Sequence, residues 1–213
     1  QSVGGGQHHR FGTSGLLYRS NKLMFDQDTK SLWSTLEGVP VIGPLAGTDV
    51  RLLRRSMVTT TWGEWRRRHP ETTVLSLDTG HTRDYSEGAA YREYFSHDRL
   101  MFEVSARDDR LDNKDEVVVM LLDGSGKGER QPVALSTEFL EARPVFQAAV
   151  AGYDFVVVTS PGGANRVYRT HGQRFDRRLD EVRVVDEEGV AWRVLEDEMV
   201  SETVPSVRLT RIP

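Results

Sequence analysis

Apolar residues along this chain fall in short clusters separated by turn-forming residues, not in the long stripes of amphipathic helices. His8 to Thr13 reads as a strand entering a tight turn at Gly12-Thr13-Ser14-Gly15. Leu16 to Phe25 continues as extended chain with a bend at Arg19-Ser20-Asn21. An acidic turn, Asp26-Gln27-Asp28-Thr29, follows, and Asp26 is placed to accept hydrogen bonds from amides two or three residues on. Further strands are expected at 38–44, 50–53, 72–77 and 100–104. Beyond those, Val117 to Leu122 reads as a fully buried strand, joined to Gln131 to Leu135 by a Gly-rich turn at 123–128. Others are expected at 153–159, 165–169, 173–175, 182–185 and 191–195. Two short helices are expected. Thr61-x-x-Glu64 has capping-box spacing before Trp62 to Arg68, stopped by His69-Pro70, and Ser136 caps Thr137 to Ala142. Many short strands with two short helices define a β-rich α+β fold, its strands mostly antiparallel.

The pattern repeats. Arg10-Phe11, Phe25-Asp26, Ser31-Leu32-Trp33 and Val50-Arg51-Leu52 are echoed by Arg174-Phe175, Val185-Asp186, Val190-Ala191-Trp192 and Val207-Arg208-Leu209. With chance similarity as the competing explanation, the echo implies two related half-units. The first is residues 1–106, including a long polar loop at 78–98, and the second is 107–213, ending before a full repeat, with a single intertwined domain as the alternative. Phe11, Trp33, Trp62, Trp65 and Trp192 are the expected structural core, because large aromatic side chains dominate burial.

Composition narrows the chemistry. The chain has 213 residues, 38% hydrophobic and 28% charged, and a net charge of -4 with both signs interspersed. That argues against a nucleic-acid partner, which wants a concentrated basic face. No apolar run is long enough for a membrane span. There is no cysteine, so disulfide, thiolate-metal and thiol redox chemistry are excluded within these residues. The start at Gln1 and the end at Pro213 read as those of a fragment or processed chain.

Candidate chemistry centres on the polar loop. Ser14, Asp26, Asp78, His81, Arg83, Asp84 and Tyr85 are candidate cleft or ligand-binding residues, since long polar loops often carry function. Asp78, His81, Asp84 and His97 offer carboxylate and imidazole ligands for zinc, manganese or iron, but match no spaced metal motif. No cofactor is otherwise evident. Asp78-Thr79-Gly80 has the aspartic-protease triplet without a second copy to share a proton, so an Asx-type turn is the better reading. No catalytic residue is assigned, and the balance leans away from an enzyme for these residues.

The runs FGTSGLLYRSNKLMFDQDTKSLW, VIGPLAG, TTTWGEWRRRHPETTVLSLDTGHTRDY, RLMFEVS and KDEVVV resemble a family catalogued as domain of unknown function 3179, densely over Arg10 to Val119 and loosely to Pro213. The resemblance implies a bacterial or archaeal protein, leaning to an extracytoplasmic location. It also implies an upstream Cys-Pro-Leu-Cys-like segment, with selenocysteine in some members. The matching place in the second half, Thr159 to Gly163, holds no sulfur. Three functions stay open: a fragment of a redox- or metal-linked protein lacking its reactive segment, a non-catalytic ligand- or partner-binding module, and a hydrolase using carboxylates such as Asp26 and Asp78. The partner is a small molecule or a protein, and an exposed sheet edge would favour self-association.

Overall fold

The structure, a computed structural model, describes residues 8–53, 55–102, 104–123 and 130–212. The Gly-rich turn expected at 123–128 lies outside these residues from 124 onward. Every named sheet is antiparallel, and the helices are short, so the fold is α+β and β-rich. The chain forms two compact units, each built from two separate stretches: Gln1–Arg55 with Glu93–Asn113, and Ser56–Arg92 with Lys114–Pro213. The units therefore interleave along the chain.

The first unit is a four-stranded meander of β1 (Phe11–Tyr18), β2 (Asn21–Asp26), β3 (Leu32–Ser34) and β4 (Pro40–Ile42), paired in that order. Arg19 and Ser20 both have positive φ, as a two-residue hairpin between Tyr18 and Asn21 requires. Gly12 to Gly15 is not the tight turn expected. The strand runs straight through it, and the register slips between Thr13 and Leu17. Gly15 sits at φ 75 in this bulge. Ser14 Oγ stitches it by donating to the Leu23 carbonyl at 2.7 Å and accepting from the Leu16 amide at 3.0 Å. Val50–Leu53 forms no full strand, but the Leu52 amide bonds the Gly38 carbonyl at 2.8 Å beside β4.

The second unit begins with helix α1 (Trp62–Arg68). Thr61 caps it by accepting from the Glu64 amide at 3.3 Å. A 3₁₀ turn (Ala89–Tyr91) leads to α2 (Arg92–Phe95), a single turn within which the chain passes from the second unit to the first. After Lys114 come the hairpin β5 (Val117–Asp123) with β6 (Arg130–Ser136), α3 (Thr137–Glu141), and a three-stranded sheet of β7 (Val145–Val150), β8 (Tyr153–Thr159) and β9 (Asn165–Arg169). A five-stranded meander completes it: β10 (Phe175–Arg178), β11 (Arg183–Asp186), β12 (Ala191–Val194), β13 (Glu198–Ser201) and β14 (Arg208–Thr210).

The central sheet of this unit is buried on both faces. Val156, Val158 and Tyr168 pack with Phe175, Val184, Trp192, Val194, Met199 and Leu209 of the meander. Phe155, Val157 and Val167 pack on the opposite side with Met120, Leu122 and Leu140. Alternate residues of β8 thus serve two cores, which is why Tyr153 to Thr159 is a continuous apolar run. Val117 to Leu122 looks similar in sequence, but only Met120 and Leu122 are buried and Val119 is half exposed. A two-stranded hairpin has one face against a core, so an apolar run alone overstates its burial. The strand expected at 72–77 does not form, and Val74, Leu75 and Leu77 are exposed.

Candidate functional site

Among the described residues three buried carboxylate centres stand out, one in the first unit and two in the second. In the first, the Asp26 carboxylate is fully buried. Its Oδ1 accepts from the Asp28 amide at 3.0 Å, and its Oδ2 accepts from Thr29 Oγ1 at 2.5 Å and lies 2.8 Å from His9 Nδ1. Burial opposes ionisation of Asp26. The Thr29 hydroxyl, the Asp28 amide and His9 outweigh it and hold the carboxyl below its ordinary value. Trp33 is buried beneath, with Phe11 edge-on at 5.4 Å and the His9 ring at 5.9 Å. The Asx turn expected at Asp26 is therefore present.

The same arrangement recurs in the second meander. Phe175 pairs with Asp186 as Phe11 pairs with Asp26. Asp186 Oδ1 accepts from the Glu188 and Val190 amides at 3.1 and 2.8 Å. Its Oδ2 accepts from Gln173 Nε2 at 2.9 Å and Trp192 Nε1 at 2.8 Å. Phe175 meets Trp192 edge-on at 5.6 Å. Gln173 precedes Phe175 by two residues, as His9 precedes Phe11. The carboxylate in both places orders the turn that delivers the tryptophan.

The third centre was not foreseen. Glu64 is 0% exposed. Its carboxylate does not return to its own helix N-terminus, as a capping box would. Oε2 instead accepts from Ser160 Oγ at 2.5 Å, and Oε1 lies 3.6 Å from Arg166 and 3.8 Å from Arg68. Arg166 and Arg68 also engage Glu196, at 2.8 and 3.1 Å, and Arg211 donates to the Glu196 carbonyl at 2.8 Å. Burial raises the Glu196 carboxyl, but the hydrogen bond from Arg166 and the charges of Arg166, Arg68 and Arg211 more than reverse that. Arg211 is itself lowered by desolvation. The chain makes room for Glu64 at Gly162, where a Cβ would lie 2.4 Å from Glu64 Oε2 and 3.3 Å from Glu64 Cβ. Pairing of this kind keeps a buried carboxylate tolerable, while losing one partner would cost about 3–5 kcal/mol. The one sequence signal was Glu64 at its capping spacing, and it pointed to the wrong partner.

The network turns Glu64 and Arg68 of α1 inward, while Arg66 and Arg67 stay exposed. Trp62 and Trp65, expected in the core, are 48% and 40% exposed. Trp65 stacks on His69 at 4.0 Å and donates from Nε1 to Thr72 Oγ1 at 2.9 Å. Of the other expected core residues, Trp33 and Trp192 are buried and Phe11 is half-buried.

The polar loop behaves differently from the expectation of a shared cleft. Asp78, His81, Arg83, Asp84 and Tyr85 are all exposed. Their bonds stay local: the Asp78 amide to Ser76, the His81 amide to Thr79, Tyr85 to Thr79 at 2.7 Å, and Asp84 to Ser86 and, at 4.0 Å, Arg92. Short spacings of polar residues closed small turns instead of converging on a centre. Among the described residues Asp78, His81, Asp84 and His97 do not form a ligand group. The group that does is His9, Asp26 and Asp28, whose ligand atoms lie within 4.8 Å of one another. Asp26 and Asp78, the carboxylates considered for a hydrolase, belong to different units: one is occupied by its turn and the other is exposed. Ser14 is occupied by the β1 bulge. No helix among the described residues is long and apolar enough to cross a membrane.

Two antiparallel meanders organised by buried aspartates, with an ion network clamping a short helix, define a β-rich protein. Comparison with protein families places it further: the model of a protein of unknown function, DUF3179, matches residues 1–213. The chain belongs to this family over its whole length. No curated protein and no solved structure matches it.

Proposed function

We propose that the chain is a non-catalytic protein-binding module whose binding surface is formed by residues 62–77 of the second unit. The observation that carries this is the burial pattern of α1. A short helix ordinarily buries its aromatic residues and solvates its carboxylate. Here Glu64 is buried while Trp62 and Trp65 are presented to solvent, close in sequence to the exposed Val74, Leu75 and Leu77. Tryptophan is among the residues most enriched at binding hot spots, and a rigid support lowers the ordering cost of binding. The Glu64 network supplies that support, joined by the Arg67–Glu181 pair and by Arg211 donating to the Met57 carbonyl at 3.1 Å.

The double variant Trp62→Glu/Leu75→Glu tests the reading. Its stability should stay within about 0.5 kcal/mol of the parent, as for exposed positions. A photoreactive side chain at position 77 should crosslink one reproducible protein in the parent, and the double variant should lose that product. A loss of several kcal/mol, or crosslinking unchanged by the charges, would refute the reading.

A second, metal-linked reading rests on the grouping of His9, Asp26 and Asp28. A histidine and two carboxylates suit zinc or manganese. The recurrence of the same aspartate turn around Asp186 with Gln173 in place of His9 weighs against it. Calorimetric titration with zinc decides: heat that His9→Gln abolishes supports a site, and heat independent of His9 removes it.

A further inference from the structure

The segment Thr72-Thr73-Val74-Leu75-Ser76-Leu77 is β-branched and apolar enough to read as a strand, yet among the described residues it pairs with no strand. Among the described residues no backbone hydrogen bond reaches the amides of 73–77, and Leu75 is 95% exposed. Local preference and observed state disagree here. Such conflicts are uncommon where a chain has finished burying its surface. The segment is anchored at its start. The Thr72 amide bonds the His69 carbonyl at 3.1 Å, and Thr72 Oγ1 accepts from Trp65 on the clamped helix. Its far end closes in a turn, with the Asp78 amide on Ser76 Oγ at 3.1 Å.

We infer that residues 72–77 are a docking strand, completed by an extended apolar segment of a partner protein with basic residues at its ends. This deepens the protein-binding reading and rests on it. Addition of a strand to unpaired backbone supplies affinity through main-chain hydrogen bonds, and alternate side chains supply specificity. Charge selects the occupant. The segment itself is uncharged, but Glu71 and Asp78 flank it, and both are exposed. Antiparallel pairing with a second copy about the segment's centre would set Glu71 opposite Asp78 at both ends. Parallel in-register pairing would set each acid opposite itself. Like charges directly opposed across a sheet are destabilising. A partner strand with flanking lysine or arginine meets both acids favourably, whereas a second copy does not.

The probe is a synthetic peptide of alternating valine and threonine with lysine at both ends, beside one with glutamate at both ends and one N-methylated at alternate amides. On the whole chain, the lysine peptide should protect the amides of 73–77 from hydrogen exchange. It should bind about tenfold more tightly than the glutamate peptide, because opposed like charges cost of the order of a kcal/mol or more. The N-methylated peptide should not bind. Leu75→Pro removes one amide at an exposed position. It should weaken the lysine peptide about tenfold, with the melting temperature unchanged. Equal binding of the lysine and glutamate peptides, binding of the N-methylated peptide, protection confined to other residues, a fall in melting temperature for Leu75→Pro, or a dimer formed through 72–77 would each overturn the inference. If the peptide fails while Trp62→Glu/Leu75→Glu still abolishes the crosslinked partner, only the docking strand is wrong. If the crosslink is also insensitive, the binding reading fails with it.

Discussion

The two meanders are built on one plan and differ in how the buried aspartate is satisfied. In the second, every contact to Asp186 comes from an amide, a carboxamide or the Trp192 indole, so the tryptophan is fixed both by packing and by a hydrogen bond. In the first, His9 and Thr29 occupy Asp26 Oδ2, and among the described residues the Trp33 indole N–H has no hydrogen-bond partner. Trp33 is therefore held by shape alone. The backing differs too: the second meander shares a core with Val156, Val158 and Tyr168 of the central sheet. The comparison shows that an acidic turn and a tryptophan recur together, while the donors around the carboxylate differ. An unpartnered buried N–H costs about 1–3 kcal/mol, so the difference has a consequence.

Truncation tests the shared part of the plan. Trp33→Ala and Trp192→Ala should each lose about 3–5 kcal/mol, measured by denaturant unfolding, because both remove a buried indole. A neutral Trp33→Ala would break the equivalence of the two units. Conservative replacement tests the difference. Trp192→Phe should cost about 1–3 kcal/mol more than Trp33→Phe, since it strips a donor from a buried carboxylate, whereas Trp33 donates to no partner in the structure. Equal costs would show that the indole hydrogen bond is energetically idle.

Acid sharpens the contrast between units. Asp26 and Glu196 both have carboxyls held below their ordinary values of 3.8 and 4.5. A carboxyl with a depressed folded value contributes stability above its unfolded value and loses it as pH falls through the folded one. Melting temperature should therefore be flat near neutrality and fall below about pH 4.5, with the Glu196 contribution lost from higher pH than that of Asp26. Glu196→Gln should flatten the earlier part of the fall, and an unchanged profile would remove Glu196 as its source. The smallest effect is expected from His9→Gln. It makes the first meander's donor like Gln173 and should change stability by less than about 1 kcal/mol at neutral pH. A much larger loss would mean that the imidazole does more than donate.

Local patterns were read from the chain with most success where one residue type does one local job. Asp26 as a turn former, Thr61 and Ser136 as caps, Arg19-Ser20 as a bend and β8 at Tyr153–Thr159 all match the structure. Reading failed where the outcome depended on which of several available partners a residue met. Gly12 to Gly15 became a bulge because β2 pairs past it. The polar loop residues closed small turns because nearby hydroxyls and amides satisfied them first.

The sequence by itself determined the alternation of short strands and turns and the two aspartate–tryptophan units, because each depends on neighbours a few residues apart. Only the tertiary structure decided that Glu64 would be buried against Ser160, 96 residues away, with Arg166 and Glu196 completing the network. That choice turned two tryptophans outward. It rests on ion pairing between remote segments, which no local pattern encodes.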